Sequence, residues 1–168
     1  MAKRILVVDD EPDVRNAWAR SLRIEKYAVE TAANATEALQ KVANHAFDLV
    51  ILDFIMPGKS GLQLLNEIRK VLPTVRSIIV SGRVDPALEE AGIADTLKAK
   101  LEADAFFQKP VSDERLLEAV ETLFALAREH HSWQHVAERE LNAGKRKKDV
   151  RAVEQELKQK KPSRGRPK

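Results

Sequence analysis

The chain of 168 residues contains no cysteine. Structural disulfides, thiolate zinc sites and cysteine nucleophiles are therefore excluded, and the composition fits a reducing compartment. Long apolar runs are also missing. Ile5-Leu6-Val7-Val8 meets Asp9-Asp10 at once, too short a run for a secretory signal. No stretch approaches the roughly 18 apolar residues that a membrane-spanning helix needs. The expectation is a soluble, cytoplasmic protein without a membrane partner. No internal repeat is visible. A chain of this length can bury a core without metal or disulfide staples, and it suggests one domain plus an appendage.

Charge is divided along the chain. Residues 1–129 hold 17 Lys and Arg against 21 Asp and Glu, whereas residues 130–168 hold 12 against 5. The front is net −4 and the back net +7, which together give the overall +3. Two regions with different jobs are implied.

In the front region, short apolar runs rich in branched residues alternate with longer stretches of helical periodicity, the pattern of βα units around a parallel sheet. Strands are expected at Ile5–Val8, Ala28–Thr31, Asp48–Leu52, Ser77–Val80 and Ala105–Phe107. Helices are expected over about 12–25, 35–45, 60–72, 86–101 and 113–129. Leu49-Val50-Ile51-Leu52 is unbroken rather than alternating, as befits a central strand covered on both faces. Pro57-Gly58 and Ser60-Gly61 punctuate the passage from the third strand to its helix. The expected fold class is α/β, a doubly wound five-stranded parallel sheet, whose ligands sit at the carboxyl ends of the strands.

Those ends carry chemistry. The first strand ends in Asp9-Asp10, the third in Asp53, the fourth in Ser81 and the fifth just before Lys109. Singly, each has an ordinary reading. Asp9-Asp10-Glu11 suits a helix start, Asp53 an Asx turn, Ser81-Gly82 a loop and Lys109-Pro110 a strand exit. A parallel sheet, however, gathers all of them on one edge. Three adjacent carboxylates repel one another unless a cation joins them. Hard oxygen ligands with room for water suit Mg²⁺, and the Lys adds a second positive charge. Such a site is suited to a phosphoryl group, whose transfer depends on positioning and charge neutralisation.

The strings "ILVVDDEPDVR", "FDLVILDFIMPGKSGLQLL", "IIVSGR" and "AFFQKPV", in that order, resemble the receiver domain of two-component response regulators over residues 1–128. The resemblance implies a flavodoxin-like receiver fold and makes Asp53 the phosphoacceptor, supplied by a sensor histidine kinase or a phosphotransfer protein. It implies that Asp10, Asp53 and the backbone carbonyl of Ile55 hold Mg²⁺ directly, and Asp9 through water. Lys109 and the Ser81 hydroxyl would bind phosphoryl oxygens, and Phe106 would be the switch aromatic. A protein of this kind phosphorylates itself and slowly loses the group; it is not an enzyme acting on a separate substrate. Ser81 stands where Thr is more usual and Phe106 where Tyr is common, with the hydroxyl and the aromatic plane retained. Ser81 to Lys109 looks longer than usual by a turn or two of helix, which bears on the dimer face around the fourth helix. Ile55 and Arg83 occupy positions that tune phosphoryl lifetime in the family.

The back region is read as an extension of the last helix over 129–143, then a basic tail over 144–168 with a short amphipathic helix at Val150, Val153 and Leu157. It is too short and too poor in apolar residues for a helix-turn-helix. "PSRGRPK" resembles an AT-hook: Arg164, Gly165, Arg166, Pro167 and Lys168 would follow the narrow minor groove of A·T-rich DNA, whose negative potential attracts Arg. Lys145, Arg146, Lys147, Lys148, Lys158, Lys160 and Lys161 could contact phosphates. A solubilising or kinase-seeking basic tail is the competing reading. A third is a homodimer through 113–141, where residues 116, 120, 123, 127, 130, 134, 137 and 141 keep 4-3 spacing that His130 and Gln134 interrupt. His131, His135 and Glu138 share one helical face and could bind a transition metal, although ordinary solvated residues explain them. Trp18 and Trp133 read as packing residues, and His45 as a surface residue.

Overall fold

In the computed structural model, residues 1–82 and 98–126 are described. Five strands, β1 (Arg4–Val8), β2 (Ala28–Ala32), β3 (Leu49–Asp53), β4 (Arg76–Ser81) and β5 (Ala105–Gln108), form one parallel sheet in the order β2-β1-β3-β4-β5. Helices α1 (Pro12–Ile24), α2 (Ala35–Asn44) and α3 (Gly61–Val71) connect the first four strands. Residues 98–102 and 113–126 are also helical and are called α4 and α5. The chain divides into two units, Met1–Leu123 and Phe124–Lys168. The readings made for 129–168, including the basic helical extension, the AT-hook-like segment and the His131/His135/Glu138 face, lie outside the described residues. So does most of the helix expected over 86–101.

The ends of the elements have local causes. Pro12 opens α1, where a missing N–H costs nothing. Lys26, with φ of 67°, closes the turn after α1 in the left-handed region. Asn34 caps α2 by accepting from the Glu37 N–H at 2.8 Å, and the Glu37 carboxylate accepts from the Ala33 N–H. Ser60 and Gln63 exchange hydrogen bonds as a capping box at the start of α3. These caps fix where each helix leaves its strand, and so where the strand-end side chains stand.

Side chains alternate across the sheet, so each strand feeds two apolar layers. Leu6, Val8, Val50, Leu52 and Ile79 pack with Ala38 and Val42 of α2 and Leu65 and Ile68 of α3. The opposite residues Ile5, Val7, Ile51, Ile78 and Val80 are fully buried, as are Leu22 of α1 and Val120 of α5. The Ser21 hydroxyl donates to Asp113 at 2.5 Å, joining α1 to the start of α5. Every residue of β3 is buried, in agreement with its unbroken apolar sequence. The third strand begins one residue later than expected, at Leu49, although the Asp48 backbone still bonds to Arg4 and Arg76 and its carboxylate accepts from the Arg4 N–H and from Lys3.

Candidate functional site

The parallel register brings Asp9, Asp53, Ser81 and Lys109 to the carboxyl edge of the sheet. Asp53 is the last residue of β3 and Ser81 the last of β4, while Asp9-Asp10 follow β1 and Lys109 follows β5. Asp9, Asp53 and Ser81 are buried, and Asp10 is exposed. Carboxylate oxygens of Asp9, Asp10 and Asp53 lie within 4.8 Å of one another, the one such group among the described residues. The acidic cluster expected from sequence is thus assembled.

Lys109 faces this cluster. Its Nζ donates to Asp9 Oδ2 at 2.9 Å and to Glu11 Oε1 at 3.1 Å, and lies 3.6 Å from Asp53 Oδ2. The Lys109 backbone N–H donates to the Ser81 carbonyl at 2.7 Å, which fastens the lysine loop to the end of β4. The other oxygen of Asp9 accepts from the Glu11 N–H at 2.9 Å, and Arg15 donates to the Asp9 carbonyl at 2.7 Å. Asp9 is therefore fixed on both sides. The Ser81 hydroxyl donates to the neighbouring Gly82 carbonyl at 3.0 Å.

The charges are out of balance. Burial pushes the Asp53 carboxyl up to about 7, the negative charge of Asp9 and a hydrogen bond with Asp10 add to the rise, and Lys109 and the Ile55 backbone oppose it. Burial by itself would lower Lys109, but Asp9, Asp53 and Glu11 outweigh it and hold its ammonium above the ordinary 10.5. The lysine stays charged while one acidic neighbour is only half committed to ionisation. A hard divalent cation among the carboxylates would remove that conflict, so the donor set fits Mg²⁺.

Around the charged centre stand groups with less obvious roles. Phe106 of β5 meets the buried Phe54 edge to face at 6.4 Å, and Lys100 of α4 lies 5.4 Å from the Phe106 ring centroid. The Ile55 side chain is half exposed at the rim. Glu11 and Trp18 emerge as lysine partners that sequence reading treated as a helix-start acid and a packing residue. Only the proximity of Glu11 to Asp9-Asp10 hinted at this.

The model of the response regulator receiver domain matches residues 5–121. The chain belongs to this family. Among curated relatives, it is 34% identical over 123 residues to the response regulator MprA of Mycobacterium sp. (strain KMS), covering 73% of this chain and 51% of that one. It is 34% identical over 120 residues to the transcriptional regulatory protein CpxR homolog of Haemophilus influenzae, covering 71% and 49%. The chain thus spans about half the length of the curated relatives it matches. Among solved structures, a CheY-like receiver domain protein of Methanospirillum hungatei JF-1 superposes with a TM-score of 0.68 at 32% identity, over 77% of this chain and 99% of that one. The response regulator TrrA of Thermotoga maritima, solved in complex with Mg(2+)-BeF, superposes with a TM-score of 0.59 at 38% identity, over 72% and 98%.

Proposed function

We propose that the chain is a phosphorylation-controlled response regulator that accepts a phosphoryl group on Asp53 from a phosphohistidine of a sensor histidine kinase or phosphotransfer protein. The observation that carries this reading is the meeting of Asp9, Asp10 and Asp53 within 4.8 Å, with Lys109 3.6 Å from Asp53. The Mg(2+)-BeF complex of the Thermotoga relative supports it. Asp9, Asp10 and Asp53, with the Ile55 carbonyl, would hold Mg²⁺. When bound, the ion neutralises charge on the transferring phosphoryl oxygens.

The remaining chemistry belongs to the chain. A carboxylate oxygen of Asp53 forms a bond to phosphorus as the bond to the donor imidazole nitrogen breaks, and the electron pair leaves with the imidazole. Lys109 pairs with a phosphoryl oxygen. The Ser81 hydroxyl turns from the Gly82 carbonyl to donate to another, and Phe106 moves into the space this opens. The protein is a phosphoryl acceptor, not an enzyme with turnover on a separate substrate, and it works in the cytoplasm.

The test is intact-mass measurement of the full chain after incubation with acetyl phosphate and Mg²⁺. Wild type gains one phosphoryl group and Asp53→Asn gains none. Incorporation on the variant at the wild-type level removes Asp53 from this role.

For the output, DNA binding through residues 164–168 is the preferred reading. The net +7 of residues 130–168 and the Gly-Arg-Pro motif support it, as does the name of the Haemophilus relative, a transcriptional regulatory protein. Fluorescence anisotropy with A·T-rich and G·C-rich duplexes, comparing the full chain with one ending at Leu141, decides it. An A·T preference lost on truncation is expected. Equal binding to both duplexes that vanishes near physiological salt points instead to generic charge and a protein partner.

A further inference from the structure

Four groups surround the Lys109 ammonium: Asp9 at 2.9 Å, Glu11 at 3.1 Å, Asp53 at 3.6 Å, and the face of Trp18, whose ring centroid is 5.9 Å away. Three are carboxylates and one is a neutral ring. Trp18 projects from α1 and is buried, so its contact with the ammonium is shielded from water. A cation within about 6 Å of an indole face is attracted to its electron-rich surface, most strongly where both are desolvated.

We infer that Trp18 is a positioning residue for phosphoryl capture, its indole face holding the Lys109 ammonium beside Asp53 while the acidic partners of the lysine are reassigned. This rests on the phosphoacceptor reading above. In that reading, Asp9 turns its charge to the metal site and Asp53 becomes the acyl phosphate. Glu11, with its side chain 62% exposed, is screened by water and pulls the ammonium outward. Of the three buried partners, Asp9, Asp53 and Trp18, only Trp18 has no charge to reassign on transfer. A smaller residue would let the ammonium follow Glu11 toward solvent, away from the incoming phosphoryl group. Trp18 lies on the buried stripe of α1 with Ala19 and Leu22, and the ammonium of Lys109, from the loop after β5, lies over its ring.

The test uses the full chain in a Trp133→Phe background, with Trp18 replaced biosynthetically by tryptophans carrying one, two and three ring fluorines. Fluorination drains the ring face of electron density and leaves its size nearly unchanged. Calorimetry measures Mg²⁺ alone and then beryllofluoride in the presence of Mg²⁺. Beryllofluoride affinity should fall stepwise, by roughly 2- to 30-fold across the series, which is the range of a cation–ring contact. Mg²⁺ affinity should stay constant. Trp18→Phe should retain most of the beryllofluoride affinity and Trp18→Leu should lose it. Constant beryllofluoride affinity across the fluorinated series, or a parallel loss of Mg²⁺ affinity, overturns the positioning role. Failure of the unmodified chain to bind beryllofluoride at all overturns the phosphoacceptor reading itself, and this inference with it.

Discussion

Gly61 and Asp53 are pressed together backbone to backbone. A Cβ built on Gly61 would stand 2.3 Å from the Asp53 carbonyl oxygen and 3.0 Å from the Asp53 carbonyl carbon, and the Gly61 N–H donates to the Phe54 carbonyl at 2.9 Å. The first turn of α3 thus rests on the residue that would accept the phosphoryl group, and no flexible side chain is available to yield. Gly61→Ala must move either the helix or the strand end. Overpacking of this kind costs about 1–3 kcal/mol. Urea unfolding should show that loss, and acetyl phosphate labelling should slow, because Asp53 shifts relative to Asp9 and Lys109. An unchanged unfolding midpoint would show that the loop absorbs the methyl group.

Glu11 would compete for the same lysine as the proposed phosphoryl group. Its carboxylate is exposed and 3.1 Å from Lys109 Nζ, so the pair is worth no more than about 1 kcal/mol. Glu11→Gln should therefore raise beryllofluoride affinity in Mg²⁺ by up to about fivefold, which is that energy expressed as a ratio. The gain should shrink at high salt, where the competing ion pair is already screened. Titration at two salt concentrations checks both. A fall in affinity would mean that Glu11 helps to orient the lysine instead.

Much of this was legible in the sequence, and the reason differs by residue. The inner strands β1, β3 and β4 could be read because parallel strands buried on both faces need continuous apolar residues, and Leu49–Leu52 has no other use. Asp9, Asp10, Asp53, Ser81 and Lys109 could be placed because topology alone carries strand ends to one edge. Trp18 and Glu11 could not be assigned to Lys109, because the approach of α1 to the loop after β5 depends on helix packing that no local pattern records. Gly61 was legible as a turn residue, yet its contact with Asp53 is a fact of three dimensions. The network around Asp104 was invisible for the same reason, since its members come from α3, β4 and the turn before β5.

That network gives a prediction away from the site. Asp104 accepts from the Ser77 N–H at 2.8 Å and the Ser77 hydroxyl at 3.1 Å, and pairs with Arg76 at 3.2 Å. Arg69 of α3 donates to the Glu102 carbonyl and the Ser77 hydroxyl. Ser77 is fully buried, so removing its acceptor leaves a desolvated N–H without its partner. Asp104→Ala should cost about 1–3 kcal/mol in urea unfolding. Phosphoryl incorporation at Asp53 should persist under native conditions, since the network lies at the opposite end of β4 from Ser81. Loss of labelling in a folded Asp104→Ala protein would show that the start of β5 controls the site.

The raised Asp53 carboxyl makes stability depend on pH in a direction that can be worked out. Without a divalent cation, the folded chain keeps a proton on Asp53 up to about pH 7, whereas the unfolded chain loses it near 3.8. Between those values the folded state binds more protons, so the contribution of this group to stability is complete below about 3.8 and declines as pH rises toward 7. Asn at this position cannot ionise and escapes the decline. In chelator, Asp53→Asn should match wild type near pH 4 and become progressively more stable than wild type up to pH 8, by at most about 4 kcal/mol. Lys109 is raised above 10.5, stays charged throughout and does not contribute to the trend. Added Mg²⁺ should close the gap at pH 8, since a cation among the carboxylates stabilises the ionised form that wild type has and the variant lacks. Thermal melts of both proteins at pH 5, 6.5 and 8, with and without Mg²⁺, measure this. A gap that does not vary with pH would place the Asp53 carboxylate in a better-compensated environment than its burial beside Asp9 provides.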